Sequence, residues 1–114
     1  MGIEESDVDP TVFLEDVELR IGEVVSVEPF PEARKDVYKL ELDFGEERLH
    51  SAAGLTDNYA TDDLLGRQVV AVVNLGTVNI AGFESQCLVT GVDGEDGVVH
   101  LQPEREVENG ARVY

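Results

Sequence analysis

A chain of 114 residues, 42% of them hydrophobic, is long enough for one domain with a real core and too short for two ordinary ones. Its formal net charge of -17, from 25 acidic against eight basic residues, is the reverse of what a surface for polyanions normally carries. Cys87 stands alone, which excludes an intrachain disulfide.

The segment 1–9 is polar and expected to be flexible, ahead of a single domain over 10–114. Asp9 as N-cap and Pro10 in the first helical position predict a short helix of about two turns. Val12, Phe13 and Leu14 give that helix more apolar surface than it needs alone, so it should dock. "VELRIGEVVSVEPF" then reads as a long bent strand, with Gly22 placed for a bulge. "VYKLELDF" alternates without error, Tyr38, Leu40, Leu42 and Phe44 against Lys39, Glu41 and Asp43, as a half-buried strand does. "GEE" turns it into "RLHSAAG". A short helix follows at "TDDLLG", with Thr61 as a cap-like residue, Leu64 and Leu65 as apolar anchors and Gly66 as its stop. "RQVVAVVN", apolar on both faces, predicts a central strand, and "SQCLVTGV", "GVVHLQP" and "GARVY" predict further short ones.

Six or seven short strands with two short helices predict an all-β fold: an oligonucleotide/oligosaccharide-binding (OB) barrel first, an SH3-like barrel or small sandwich behind it. Active-site chemistry is hard to find. His50 and His100 lie in strand-like segments with no Cys or His at ligand spacing, and "GVDGEDG" lacks the spacing of a calcium loop and reads as a hairpin turn. No glycine-rich phosphate loop is present, and paired carboxylates carry no information among 25. The expectation is a binding protein rather than an enzyme, without cofactor or metal. Cys87 in an apolar run reads as a buried thiol. Neither a charged n-region with an apolar h-region nor an apolar run near 18 residues occurs, so a cytoplasmic protein without membrane insertion is expected.

The acids are spread from Glu4 to Glu108 as a surface coat, and Lys35 and Lys39 are the only lysines. That balance resembles proteins of halophilic cells. At about 1 M ionic strength the Debye length is roughly 3 Å, so repulsion among the carboxylates would be screened. Against this background "PEARKDVYKL" concentrates Arg34, Lys35 and Lys39 within six positions. They either pair with acids such as Glu32 and Asp36 or serve a ligand.

Four ordered blocks, "VELRIGEVVSVEPFPEARKDVYKLELDFGEE", "LLGRQVVAVVNL", "IAGFESQCLVTGV" and "GVVHLQPEREVENGARVY", resemble the CsaA group of tRNA-binding-domain proteins, relatives of the OB domain at the C-terminus of many methionyl-tRNA synthetases. The resemblance implies an OB barrel in a homodimer that binds tRNA or other structured RNA, or, as a proposed export chaperone, unfolded polypeptides. It places Arg34, Lys35 and Lys39 at the ligand face, to meet phosphates, with Ser51, Asn74, Asn79 and Ser85 as hydrogen-bonding groups and Phe83 as a stacking ring or a core side chain. It also implies dimer contacts at the chain ends, at Val12, Phe13, Leu14, Val113 and Tyr114. Departures from the family pattern fall on the same face. Gly76, Thr77 and Val78 stand for Pro-Pro-Lys, Gln86 for Glu, and Ala52 and Gly54 for a hydroxyl and an amide residue. These changes make the face more apolar, which favours the polypeptide reading.

Overall fold

The computed structural model describes residues 2–114; Met1, the first residue of the segment expected to be flexible, lies outside the described residues. The strands are β1 (Leu19–Pro29), β2 (Tyr38–Asp43), β3 (Arg48–Ala53), β4 (Gln68–Val72), β5 (Val78–Ile80), β6 (Phe83–Ser85), β7 (Leu88–Val89), β8 (Gly91–Asp93), β9 (Val98–His100) and β10 (Arg112–Val113). A one-turn helix, α1 (Thr61–Leu64), lies between β3 and β4, and a π-type helical turn at Val12–Asp16 precedes β1.

Strand β1 organises the sheet because it is long enough to serve three partners. Its first half pairs with β4 on one side and β10 on the other, and its second half pairs with β2. All pairings are antiparallel, in the order β3-β2-β1-β4-β7. The bend that lets one strand do this comes from a register slip between Val24 and Ser26. This corrects the expected bulge at Gly22. That glycine is required for another reason: a Cβ there would lie 2.8 Å from the ring of Phe44, which covers the strand.

The core forms where the pleat turns alternate residues inward. Val24, Leu40, Leu42, Leu64 and Val69 are fully buried, with Phe44, Ala53, Leu55, Ala71 and Cys87 around them. Helix α1 contributes Leu64 alone, and Leu65, expected as a second anchor, is exposed. The cap is also one residue earlier than expected: the Ala60 N–H donates to the Asp63 carboxylate at 2.8 Å. At the other helical turn Asp9 caps as predicted, accepting from the Thr11 N–H at 2.9 Å and its hydroxyl at 2.7 Å. The Thr11 N–H bond, then the hydroxyl, holds the Asp9 carboxyl below its ordinary pKa.

The curled sheet is sealed mainly by side chains. Beside β3 run β6 and residues 86–87, and one main-chain bond, Gln86 N–H to the His50 carbonyl at 2.8 Å, joins them. The rest of the β3 edge is satisfied otherwise: Gln86 Oε1 accepts from the His50 N–H (2.9 Å), Ser85 Oγ accepts from the Ala52 N–H (3.0 Å), and Ser51 Oγ donates to the Cys87 carbonyl (2.8 Å). The result is the nearly closed, OB-like barrel the sequence predicts. Burial pushes the Cys87 thiol up to about 11, against a smaller lowering by Ser51, so it stays protonated and unreactive. Buried His100 is likewise held below the ordinary histidine pKa, first by loss of solvent. Its Nδ1 lies 3.1 Å from the Leu101 carbonyl and its Nε2 faces the Arg67 guanidinium at 3.5 Å, an arrangement that fits the neutral ring with the proton on Nδ1.

Two hairpins stand apart from the main sheet, and the second is the turn expected of its sequence. Residues 78–85, to which the sequence pattern assigns no element before Ser85, form the β5–β6 hairpin, whose central residues Ala81 and Gly82 both have positive φ as a two-residue turn of the primed kind demands. "GVDGEDG" is the turn of the β8–β9 hairpin, closed by Gly94 N–H to the Gly97 carbonyl at 2.9 Å.

Among the described residues, Lys and Arg make four ion pairs, Arg20–Glu18, Lys39–Glu28, Arg48–Glu41 and Arg105–Glu104, which leave most carboxylates without a countercharge. With a Debye length of about 10 Å at 0.1 M and roughly 3 Å at 1 M, their repulsion should fall steeply with salt. Thermal melts followed by far-UV circular dichroism at 0.1, 1 and 3 M KCl should therefore move upward, by about 4 °C or more per kcal/mol relieved. A flat series would show that this repulsion does not limit stability.

Candidate nucleic-acid interface

On β2 and β3 the residues between the core positions face outward, and the register fixes which of them meet. Lys39 lies opposite Ala52, Glu41 opposite His50 and Asp43 opposite Arg48, while across β1 Lys39 lies opposite Glu28. Glu41 is the bridge: one carboxylate oxygen accepts from Arg48 at 3.1 Å and the other lies 3.5 Å from His50 Nε2. Diagonal contact of this kind is what long side chains make on one face of an antiparallel pair.

An aromatic group stands at the end of this face. Phe30, where β1 gives way to the β1–β2 loop, is buried, and Phe83 from the β5–β6 hairpin packs edge-on against it, with centroids 5.5 Å apart and planes at 75°. The His50 ring lies 5.5 Å from Phe83 at the shallower angle of 36°. Lys39 Nζ sits 5.0 Å from the centroid of Phe30 and 5.8 Å from that of Phe83, and 4.0 Å from the Glu28 carboxylate. Arg34 and Lys35 project from the loop that joins Phe30 to Tyr38. Both are exposed, and among the described residues neither makes an ion pair or a side-chain hydrogen bond, so Glu32 and Asp36 do not hold them. Half of the chain's eight basic residues, Arg34, Lys35, Lys39 and Arg48, thus belong to this loop and these two strands.

The expected contact residues divide accordingly. Arg34, Lys35, Lys39 and Phe83 lie on or beside this face. Ser51 does not: it is 1% exposed and points inward between Leu49 and Ala53, its hydroxyl held by Cys87, because the alternation that turns His50 out turns Ser51 in. The Ser85 hydroxyl accepts from the Ala52 N–H, and Asn79 Oδ1 accepts from the Gly82 N–H at 3.1 Å within the hairpin turn. The Asn74 side chain accepts from the Glu18 N–H (2.9 Å) and donates to the Asp16 carbonyl (2.8 Å), which ties the end of β4 to the N-terminal turn. These three side chains hold backbone together. Sequence reasoning missed Phe30, Glu41, Arg48 and His50 as members of the face. The signal was present in "RLHSAAG", since pairing it with "VYKLELDF" in hairpin register sets His50 opposite Glu41.

A second concavity, of about 720 Å³, opens between the start of β1, the β2–β3 turn and residues 108–111. Glu18, Glu46, Glu47 and Glu108 line it, and its Arg20 is already paired with Glu18 at 2.8 Å. Such a lining repels phosphates, which leaves the β2–β3 face as the better surface for a polyanion.

Residues 19–112 match the protein family described as "Putative tRNA binding domain". Methionine–tRNA ligase of Thermococcus onnurineus is 39% identical over 97 residues, which are 85% of this chain and 13% of that protein. The same enzyme of Methanococcoides burtonii is 36% identical over 100 residues, 86% and 14% of the two chains. This chain therefore spans a small part of the length of those relatives. Among solved structures, the chaperone CsaA of Bacillus anthracis superposes with a TM-score of 0.87 at 42% identity, covering 96% of this chain and 100% of that one. The CsaA chaperone protein of Picrophilus torridus superposes at 0.88 with 34% identity, covering 95% and 100%.

The assignment of Ser51 to the seam has a measurable consequence. Ser51→Ala should lower stability by about 1–3 kcal/mol, because the Cys87 carbonyl loses a buried hydroxyl donor, while ligand affinity measured on the folded variant should stay at the parent value. A loss of affinity without a loss of stability would put Ser51 back among the contact residues.

Proposed function

The chain belongs to the tRNA-binding-domain family, and from that premise we propose that it is a non-catalytic, dimeric, cytoplasmic binding protein of the CsaA type that takes tRNA or similarly structured RNA on the outward face of β2 and β3. The observation that carries the reading is the state of Arg34 and Lys35, two exposed cations without a side-chain partner among the described residues, in a chain of net charge -17. Stability does not explain them, since surface cations contribute little even when paired. Beside them, Lys39 and Arg48 add charge, and the ring group of Phe30, Phe83 and His50 adds aromatic surface for bases.

Fluorescence anisotropy with labelled tRNA tests this. Each cation that displaces a condensed ion steepens the salt dependence, so Arg34→Ala with Lys35→Ala should reduce the log–log slope of affinity against salt by about 1.4 to 1.8. An unchanged slope would remove the loop from the interface, and the absence of tRNA binding by the parent protein from 0.2 to 2 M KCl would remove the RNA reading itself.

A second reading, an export-related chaperone that holds unfolded polypeptide on the same face, is favoured by one observation. Val78, where the family pattern has lysine, is 59% exposed at the base of the β5–β6 hairpin, close in sequence to Leu75 at 63%. Apolar groups of this kind suit a polypeptide segment more than a phosphate backbone.

The dimer rests on the chain ends. Val12, Phe13 and Leu14 are 40%, 41% and 51% exposed and Tyr114 is 92% exposed, while Val113 pairs with Leu19 in the sheet. Arg112 donates to the carbonyls of Leu14 (3.0 Å) and Val17 (3.5 Å), so the N-terminal turn is held beside the last strand and the exposed apolar groups of the two ends lie in one region. Light scattering in about 2 M KCl should give twice the chain mass, and Phe13→Glu with Leu14→Glu should give the mass of one chain. A parent protein already at the single-chain mass would refute the dimer.

A further inference from the structure

We propose that His50 is the ring on which an RNA base stacks in this chain, with Phe83 as its backing rather than as the platform itself; this inference rests on the RNA reading above. The order of the rings carries it. Phe30 is 6% exposed, Phe83 lies half-buried between two rings, and His50 is outermost, its side chain 49% exposed. Phe83 meets Phe30 edge-on at 75° and His50 at 36°, both with centroids at 5.5 Å, and Lys39 stands 5.8 Å from its centroid. A base needs a free ring face, and Phe83 is hemmed in by three neighbours. His50 meets Phe83 on one side and Glu41 at one edge, and about half of its side chain stays open to solvent.

The residue is also held for the task. Its N–H is bonded by Gln86 Oε1 and its carbonyl by the Gln86 N–H, which clamps the backbone on both sides. Glu41 Oε2, 3.5 Å from Nε2, steadies one edge of the ring, and Arg48 holds the other oxygen of the same carboxylate. A ring held in this way loses little conformational freedom on binding. Glu41 separates two kinds of contact on the face. A carboxylate there repels phosphates and accepts from the N–H groups of a base, whereas the exposed Arg34 and Lys35 lie in the adjoining loop where a backbone can run. The His50–Glu41 end is therefore the base subsite and the loop is the phosphate track. Stacking is also the contact that survives the molar salt in which counterion release no longer drives binding.

The chain has no tryptophan, so His50→Trp places a single indole reporter on the subsite. Anisotropy with labelled tRNA in about 1 M KCl should show His50→Ala weaker than the parent by about tenfold, at the low end of one lost base–ring stack. His50→Phe should keep the parent affinity. The indole emission of His50→Trp should be quenched as tRNA is added, and a melt of each variant confirms the fold. His50→Ala binding tRNA as the parent does would overturn the stacking role and leave the RNA reading standing. Rescue by His50→Arg but not by His50→Phe would also overturn it, because charge and not the ring would then matter. Failure of the parent to bind tRNA at any salt, with unfolded polypeptide quenching the indole instead, would overturn both.

Discussion

The exposed edge of β3 is the constraint on which the rest of this barrel depends. A curled antiparallel sheet must satisfy the N–H and carbonyl groups along its last strand, and unpaired edges invite association. Here the neighbouring segment reaches β3 through one main-chain bond and the side chains of Ser51, Ser85 and Gln86. A side chain can bond an edge at single points without the strict register of a ladder. That freedom allows β6 to leave the sheet and form its own hairpin with β5, which carries Phe83 over Phe30 and beside His50. The device that closes the barrel is thus also the one that assembles the aromatic end of the candidate face.

Electrostatics shape the same surface by placement rather than by sum. With eight cations against 25 acids no face of this protein can be strongly basic, and a field of long range would be negative nearly everywhere. Three of the eight sit together in the β1–β2 loop and at the start of β2, and a fourth, Arg48, is recruited by Glu41. Short-range contacts are little affected by the net charge once salt reduces the Debye length to a few ångströms. An acidic chain and an anionic ligand are compatible under that condition, provided the contacts are made at the surface of the partner and include groups that ions do not screen. Rings and hydrogen bonds meet that requirement, and the rings here lie next to the cations.

The chain ends obey the same economy of anchors. Asn74 ties the end of β4 to Asp16 and Glu18, and Arg112 ties β10 to the carbonyls of Leu14 and Val17. Four polar contacts therefore fix the short helical turn against the sheet and leave Val12, Phe13 and Leu14 facing outward. Polar side chains that look like ligand contacts in the sequence are spent on holding backbone, and apolar ones that look like core are left at the surface.

What the sequence determined by itself is what local patterning encodes. The error-free alternation of Tyr38 to Phe44 set the inward face of β2, the apolar run at 68–73 set an interior strand, Asp9 with Pro10 started the helical turn, and the spacing of strands with four ordered motif blocks identified the barrel and its family. The bend in β1 was legible, but its position was not, because Gly22 answers to the ring of Phe44, twenty-two residues away, while the register slip lies at Val25. The candidate site was legible as charge, in Arg34, Lys35 and Lys39, and illegible as geometry. Whether a serine or asparagine faces a ligand or a carbonyl depends on which strand lies across from it, and only the closed barrel decided that Ser51, Asn74, Asn79 and Ser85 serve the backbone. It decided equally that His50, an ordinary strand histidine in the sequence, lies against Phe83 at the exposed end of a ring cluster, since ring contacts between β3, β6 and the end of β1 exist only after the sheet has curled.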